Sequence, residues 1–364
     1  MKGLISIKAN VLPESACLLE SGYSTTYGDI NNSELTSTMS TEKNVSTAEQ
    51  PLVGKEVIQG IVVDDEEAVE LPVDRHQIFD NHYKSSLNTK NYLNLLVFAI
   101  NIFCNFVIGV TGIAPYDIGG LSDMYQTIIS PAGYAFSIWS LIFITEGIFC
   151  FAQLLRRYRS SAIVQEGISW YFILANLFQA SWVFAWCWNR VAFALALMLG
   201  IFASLYALVI NQHLMYSREP SKFQKTYLEY WLFQFPFHVH CGWITAATSL
   251  NINIEVIHAG VNDPSIQLSV GIVTLAALHA IALAWLYMSP GTRPNYTIPL
   301  VLAWAFFAIS DELSQPMENI QQRFGSIIIE MIWYSSAAVA VIIVMLCVSR
   351  LVYDSVKTKF FVRL

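Results

Sequence analysis

The sequence contains little charge for its length. Only 13% of its 364 residues are Asp, Glu, Lys or Arg, whereas a soluble globular protein carries about 25%. Residues 1–90 hold 7 basic and 14 acidic residues and residues 91–364 hold 13 of each, so the net charge of −7 comes from the first quarter of the chain. This distribution excludes a single soluble domain. It also argues against binding to nucleic acid, which needs a basic face.

Cysteine and the common catalytic signatures are scarce as well. The six cysteines include no Cys-x-x-Cys pair, and five of them lie in apolar runs. We therefore expect buried, reduced thiols rather than a disulfide framework or a zinc site. The sequence has no phosphate-binding loop, no Gly-x-Ser-x-Gly and no His-Glu-x-x-His. The sequence therefore predicts neither an enzyme nor ATP-driven transport. No cofactor is firmly implied.

Residues 1–88 lack tryptophan and long apolar runs. They are rich in Ser, Thr, Asn, Asp and Glu, and such a segment buries too little apolar surface to offset its ordering entropy. We predict a disordered acidic tail. Residues 14–19 (ESACLL) fit an acidic dileucine sorting signal and residues 27–30 (YGDI) fit a tyrosine sorting signal. These patterns predict a eukaryotic endomembrane, vacuolar or plasma membrane location.

Apolar residues make up 55% of the sequence and are concentrated after the tail. A membrane-spanning helix needs about 20 mostly apolar residues. Eight segments approach this length with no more than one Asp, Glu, Lys or Arg each: 91–116, 132–155, 167–189, 191–217, 230–253, 266–289, 296–310 and 327–349. The sequence therefore predicts an all-α, polytopic transmembrane bundle of about eight spans.

Basic residues alternate between the segments that join these spans. Lys and Arg collect on the cytoplasmic side of a membrane protein. The end of the tail, every second loop and the C-terminus contain basic residues, and the loops between them contain only Arg190 and Arg323. This alternation predicts that both termini are cytoplasmic, including the last segment, residues 354–364.

Three motifs carry a family resemblance. The second span opens with SPAGYAFSIWSLIF at 130–143, the third contains NLFQASWVFAW at 176–186, and the fifth contains WITAATSLN at 243–251. Together they resemble the tryptophan-rich sensory protein family, also called the translocator protein or peripheral benzodiazepine receptor family (TspO/MBR), over residues 92–253.

The resemblance implies a five-helix domain at residues 91–253, with three additional transmembrane helices at 266–353 outside it. Members of the family often form homodimers and bind tetrapyrroles, with sterols and synthetic ligands in animals. The Tyr and Arg of the animal sterol motif do not follow Asn251, so sterol binding is not implied. The resemblance thus implies a homodimer in the lipid bilayer with a small planar hydrophobic ligand, such as a porphyrin or haem.

Glu146 is the ionisable residue deepest in a predicted span, and such residues are costly in hydrocarbon. Trp139 precedes it by seven residues, which puts both side chains on one helical face. Glu146 either lines a cavity, where it binds a proton or a ligand cation, or is a protonated residue bonded within the bundle.

The fifth span carries a polar and aromatic stripe. His240, Trp243, Ala247 and Asn251 follow one another at spacings of three, four and four residues. His240 could ligate haem iron or titrate, or it could be a core histidine bonded to a backbone carbonyl. In the third span, Asn176 could contact a ligand or join helices.

Two functions follow as hypotheses. The first is a sensory or carrier protein that holds a planar hydrophobic ligand, with a tetrapyrrole as the candidate. Its ligand-binding residues would be Trp139, Glu146, Asn176, His240, Trp243, Ala247 and Asn251. The alternative is a proton-coupled secondary transporter of a small organic solute, in which Glu146, His240 and His279 supply a proton relay.

The predicted topology places Asn295 in a cytoplasmic loop, within an Asn-Tyr-Thr glycosylation acceptor. We expect no sugar on this residue. Glycosidase treatment of protein made in a eukaryotic host should leave its electrophoretic mobility unchanged. A sugar on Asn295 would overturn the topology.

Overall fold

A computed structural model describes residues 86–218, 227–289 and 294–362. The predicted tail, residues 1–88, lies outside the described residues apart from its last three, and both sorting signals lie outside them entirely. Within the described ranges the secondary structure is helical and contains no strand. The prediction of an all-α fold is confirmed.

Ten α-helices follow one another in the described part of the chain. They are α1 (Thr89–Phe103), α2 (Ile118–Met124), α3 (Ile138–Ala152), α4 (Tyr171–Cys187), α5 (Val191–Arg218), α6 (Tyr227–Phe233), α7 (Phe235–His258), α8 (Pro264–Tyr287), α9 (Thr297–Ser314) and α10 (Glu318–Val362). Helix α10 is kinked at Gly325, where the backbone is not helical. A π-helical turn at Cys104–Ile108 extends α1, and a 3₁₀ turn at Gly133–Ser137 leads into α3. Each of the eight predicted apolar segments is therefore helical.

Six helical stretches among the described residues are long and apolar enough to cross a membrane. They are Thr89–Ile108, Gly133–Ala152, Val191–Arg218, Pro264–Tyr287, Thr297–Ser314 and Glu318–Lys357. Helix α4 is equally apolar in character but has only 17 residues. Helix α7 has 24 residues, and its hydropathy is lowered by polar residues such as His238 and Asn253. The predicted polytopic bundle is confirmed.

The outer surface of the bundle is apolar. Large hydrophobic side chains are exposed on several helices, including Phe103, Ile144, Phe151, Met331 and Val348. A soluble monomer rarely exposes apolar area on this scale. These side chains are suited to contact with lipid tails.

Helix α7 occupies the centre of the bundle. It packs against α3, α5, α6, α8 and α9, so its polar side chains are shielded from lipid by other helices. Helices α8 and α9 in turn contact α10. The predicted segments 91–253 and 266–353 consequently pack together as one compact unit.

Gly242 allows α7 and α9 to approach closely. A Cβ atom added at Gly242 would lie 2.9 Å from Cβ and 3.0 Å from Cγ1 of Val301, and 3.4 Å from the Cα of Ile298. Val301 is β-branched and has little rotamer freedom in a helix, so it cannot turn aside. The small residue therefore sets the distance between the two helices.

We expect Gly242→Ala to destabilise the protein by about 1–3 kcal/mol, because the added methyl group overpacks the contact with Val301. Thermal unfolding in detergent measures this. Gly147→Ala is the matched control, since its Cβ would meet Phe98 ring atoms at 3.6 and 3.7 Å, an ordinary contact. Equal unfolding temperatures for the two variants would show that α7 and α9 are not closely packed.

Candidate functional site

A cavity of about 550 Å³ lies inside the bundle, among the described residues. Its wall is built by the π-helical turn after α1, by α2, α3, α4, α7 and α9, and by the segment before α3. Single residues from α5, from α8 and from the segment just before α10 complete it. Ligand pockets for small molecules commonly have volumes of about 300–1,000 Å³. The cavity can therefore hold a small organic molecule.

Four tryptophans line the cavity: Trp139 on α3, Trp182 and Trp186 on α4, and Trp243 on α7. The rings of Trp182 and Trp186 stack, with centroids 5.5 Å apart and planes 18° apart. Trp243 packs edge-on against Phe136 at a centroid distance of 5.6 Å. These contacts hold the rings in place, so the wall offers aromatic surfaces against which a flat molecule can pack.

Hydrogen bonds orient two of these indoles. Trp182 Nε1 donates to Asn251 Oδ1 at 3.4 Å, and Asn251 Nδ2 donates to the Ala247 carbonyl at 2.9 Å. Trp186 Nε1 donates to the Ile118 carbonyl at 3.2 Å. Asn251 thus fixes the position of Trp182 from the neighbouring helix.

Trp243 differs from Trp182 and Trp186. Its side chain lines the cavity, it is 2% exposed, and its Nε1 has no hydrogen-bond partner among the described residues. A buried donor without a partner is energetically costly. Because this nitrogen has almost no accessible surface, it faces the packed side chains around it and not the open cavity.

Glu146 and His240 form a hydrogen-bonded pair behind the wall. Glu146 Oε1 and His240 Nδ1 are 2.7 Å apart, and both side chains are completely buried. The ring of Trp139 meets the ring of His240 edge-on, with centroids 5.6 Å apart. Glu146 Oε2 and His240 Nε2 have no partner within the described ranges. The pair joins α3 to α7 and supports Trp139 from the side away from the cavity.

Asn176 belongs to a second polar cluster. Its Oδ1 accepts a hydrogen bond from Asn101 Nδ2 at 2.9 Å, and its Nδ2 donates to the Phe172 carbonyl at 2.9 Å. Asn105 Nδ2 donates to Asn101 Oδ1 at 2.8 Å, and Asn105 lines the cavity. Asn176 therefore joins α4 to α1.

The structure brings four of the seven predicted site residues to the cavity wall: Trp139, Trp243, Ala247 and Asn251. The other three, Glu146, Asn176 and His240, do not line it, because their polar atoms bond to neighbouring helices. His240 could ligate haem iron only from within the cavity, whose wall does not include it. His279, predicted to join a proton relay, does not line the cavity either.

Sequence reasoning missed two groups of lining residues. Trp182 and Trp186 could have been distinguished from the other tryptophans in the sequence, because their spacing of four residues puts them on one face of α4. Asp123 and Glu312 also line the cavity, but they come from distant parts of the chain. No local pattern links an acidic residue after the first span with one at the end of the seventh.

The fold and the cavity define an integral membrane protein of several spans with space for a small molecule inside its bundle. The family of TSPO-like proteins matches residues 91–349, which is more than half of the chain. The protein therefore belongs to the TSPO-like family, as the three motifs predicted. The match extends past residue 253 and includes α8, α9 and most of α10. No curated protein and no solved structure matches the chain at a significant level.

We expect Glu146→Ala to lower the free energy of unfolding by about 1–3 kcal/mol, because it leaves a buried ring nitrogen of His240 without its partner. Unfolding in detergent measures the loss. His240→Ala should lower the free energy of unfolding by a similar amount. The double variant should lower it by less than the sum of the two single losses. Strict additivity of the two losses would contradict the hydrogen bond between them.

Proposed function

We propose that the protein binds a planar hydrophobic ligand in the cavity and acts as a sensor or carrier rather than as an enzyme. The observation that carries the proposal is the set of four tryptophans on the wall of one cavity. Aromatic faces pack well against a flat ligand, and a few polar groups are enough to orient it.

A tetrapyrrole is our candidate within this ligand class. The motifs at 130–143, 176–186 and 243–251 support it, because they resemble a family that binds tetrapyrroles. The ligand would lie between α3, α4 and α7. Binding to the flat ring would rest on packing against the tryptophans, with no ligand to a central iron from His240.

We expect Trp243→Ala to weaken binding of the dimethyl ester of protoporphyrin IX about tenfold or more, because it removes an aromatic surface from the cavity wall. The shift of the porphyrin's main absorbance band in detergent gives the dissociation constant. Trp231→Ala is the control, since Trp231 is exposed on α6 and does not line the cavity. Equal affinities of the two variants would contradict the proposed site.

The Glu146–His240 pair favours a second candidate function, proton-coupled transport of a small organic solute. A buried carboxyl and imidazole that share a hydrogen bond can gain and lose a proton, and ionisable groups inside a bundle often form proton relays. His240 contacts Trp139, whose ring lines the cavity, so the pair lies next to the space that a solute would occupy.

Uptake into proteoliposomes under an imposed pH gradient separates the two functions. A transporter would accumulate solute in response to the gradient, and Glu146→Gln would abolish accumulation while preserving much of the side chain's shape. A sensor or carrier would show saturable binding with no dependence on the gradient.

A further inference from the structure

We infer that the cavity selects a planar aromatic ligand that carries a positive charge, held at the cavity mouth by Asp123 and Glu312. This inference rests on the proposed function and names the ligand class. Asp123 is on α2 and Glu312 is near the end of α9, and both line the cavity. Among the described lining residues they are the only charged ones, and no Lys, Arg or His lines the cavity.

Asp123 and Glu312 line the same cavity, and Asp311 precedes Glu312 in the chain. Asp123 is exposed and Glu312 is half-buried, so both sit towards water rather than among the tryptophans. A cleft with low-dielectric walls concentrates the field of charges at its entrance. The mouth therefore attracts cations and repels anions.

Neither carboxylate forms an ion pair with another described residue. Arg323, on the same predicted side of the membrane, directs Nη1 to Gln267 Oε1 at 3.0 Å and does not line the cavity. Within the described ranges, no basic residue on the cavity wall compensates the negative charge at the mouth. A ligand cation would compensate it.

The tryptophans favour the same ligand charge. Four of them line the cavity, and the face of an indole ring attracts a cation. The combination describes a flat molecule among the tryptophans with a cationic group at the mouth.

The same field disfavours ligands that present carboxylates. A free porphyrin with two propionates would place negative charge against Asp123 and Glu312 if its acids faced the mouth, and would bury that charge if they faced inward. Esters or amines at the same positions avoid this cost. Among porphyrins with the same macrocycle, the charge of the porphyrin's own side chains should therefore decide the affinity.

The test compares three porphyrins with one macrocycle and different side chains: protoporphyrin IX with two carboxylates, its neutral dimethyl ester, and an amide derivative with two amines. Absorbance titration in an uncharged detergent gives each dissociation constant after subtraction of empty micelles. We expect the amine to bind about tenfold more tightly than the ester, and the acid more weakly than both. Salt should reduce the differences, because the mouth is open to water.

The variant with both Asp123→Asn and Glu312→Gln should bind the ester as the wild-type protein does and lose the preference for the amine. Glu330→Gln, an exposed acid on α10 outside the cavity, should keep that preference. Equal binding of all three porphyrins, or a preference that survives the double substitution, would overturn the inference. Failure of all three to bind would instead contradict the proposed function.

Discussion

The hydrogen bond between Glu146 and His240 fixes how α3 and α7 face each other. Both residues are completely buried, in helices where water cannot replace a lost partner, so each side chain strongly favours the arrangement that satisfies the other. Trp139 lies seven residues before Glu146 and Trp243 lies three after His240. Once the pair forms, these two tryptophans are brought to the same cavity. The ligand site thus depends on a contact that lies outside it.

The last three helices complete this site. Gly242 lets α9 pack closely against the central helix α7, and α9 then brings Glu312 to the mouth of the cavity. Asp123 reaches the mouth from the short helix α2. This shared construction agrees with the extent of the family match, which continues to residue 349. Helices α8, α9 and α10 are therefore part of the same unit as the first five spans.

Much of the fold could be predicted because the length and charge of apolar segments follow directly from the thickness and low polarity of a bilayer. The stripe on α7 could also be predicted from the sequence, because residues three or four positions apart lie on the same face of a helix. Trp243, Ala247 and Asn251 do line the cavity for that reason.

Other features depend on contacts between distant segments, and a sequence carries no local sign of them. Asn176 lies among polar and aromatic residues that look suited to a ligand. In the structure, its side-chain oxygen instead accepts a hydrogen bond from Asn101. Glu146 and His240 are separated by 94 positions, and only the packing of α3 on α7 brings them together. The mouth of the cavity is a similar case. Asp123 and Glu312 each resemble an acid at a membrane edge in the sequence, and only the fold brings both to one cavity.

A structure of the protein in a lipid nanodisc with the amine-substituted porphyrin bound tests the central claim most directly. The account predicts the macrocycle between Trp139, Trp182 and Trp243, with an amine near Asp123 or Glu312 and the Glu146–His240 hydrogen bond intact. A porphyrin bound on the lipid-facing surface, or a cavity that remains empty at saturating ligand, would contradict it.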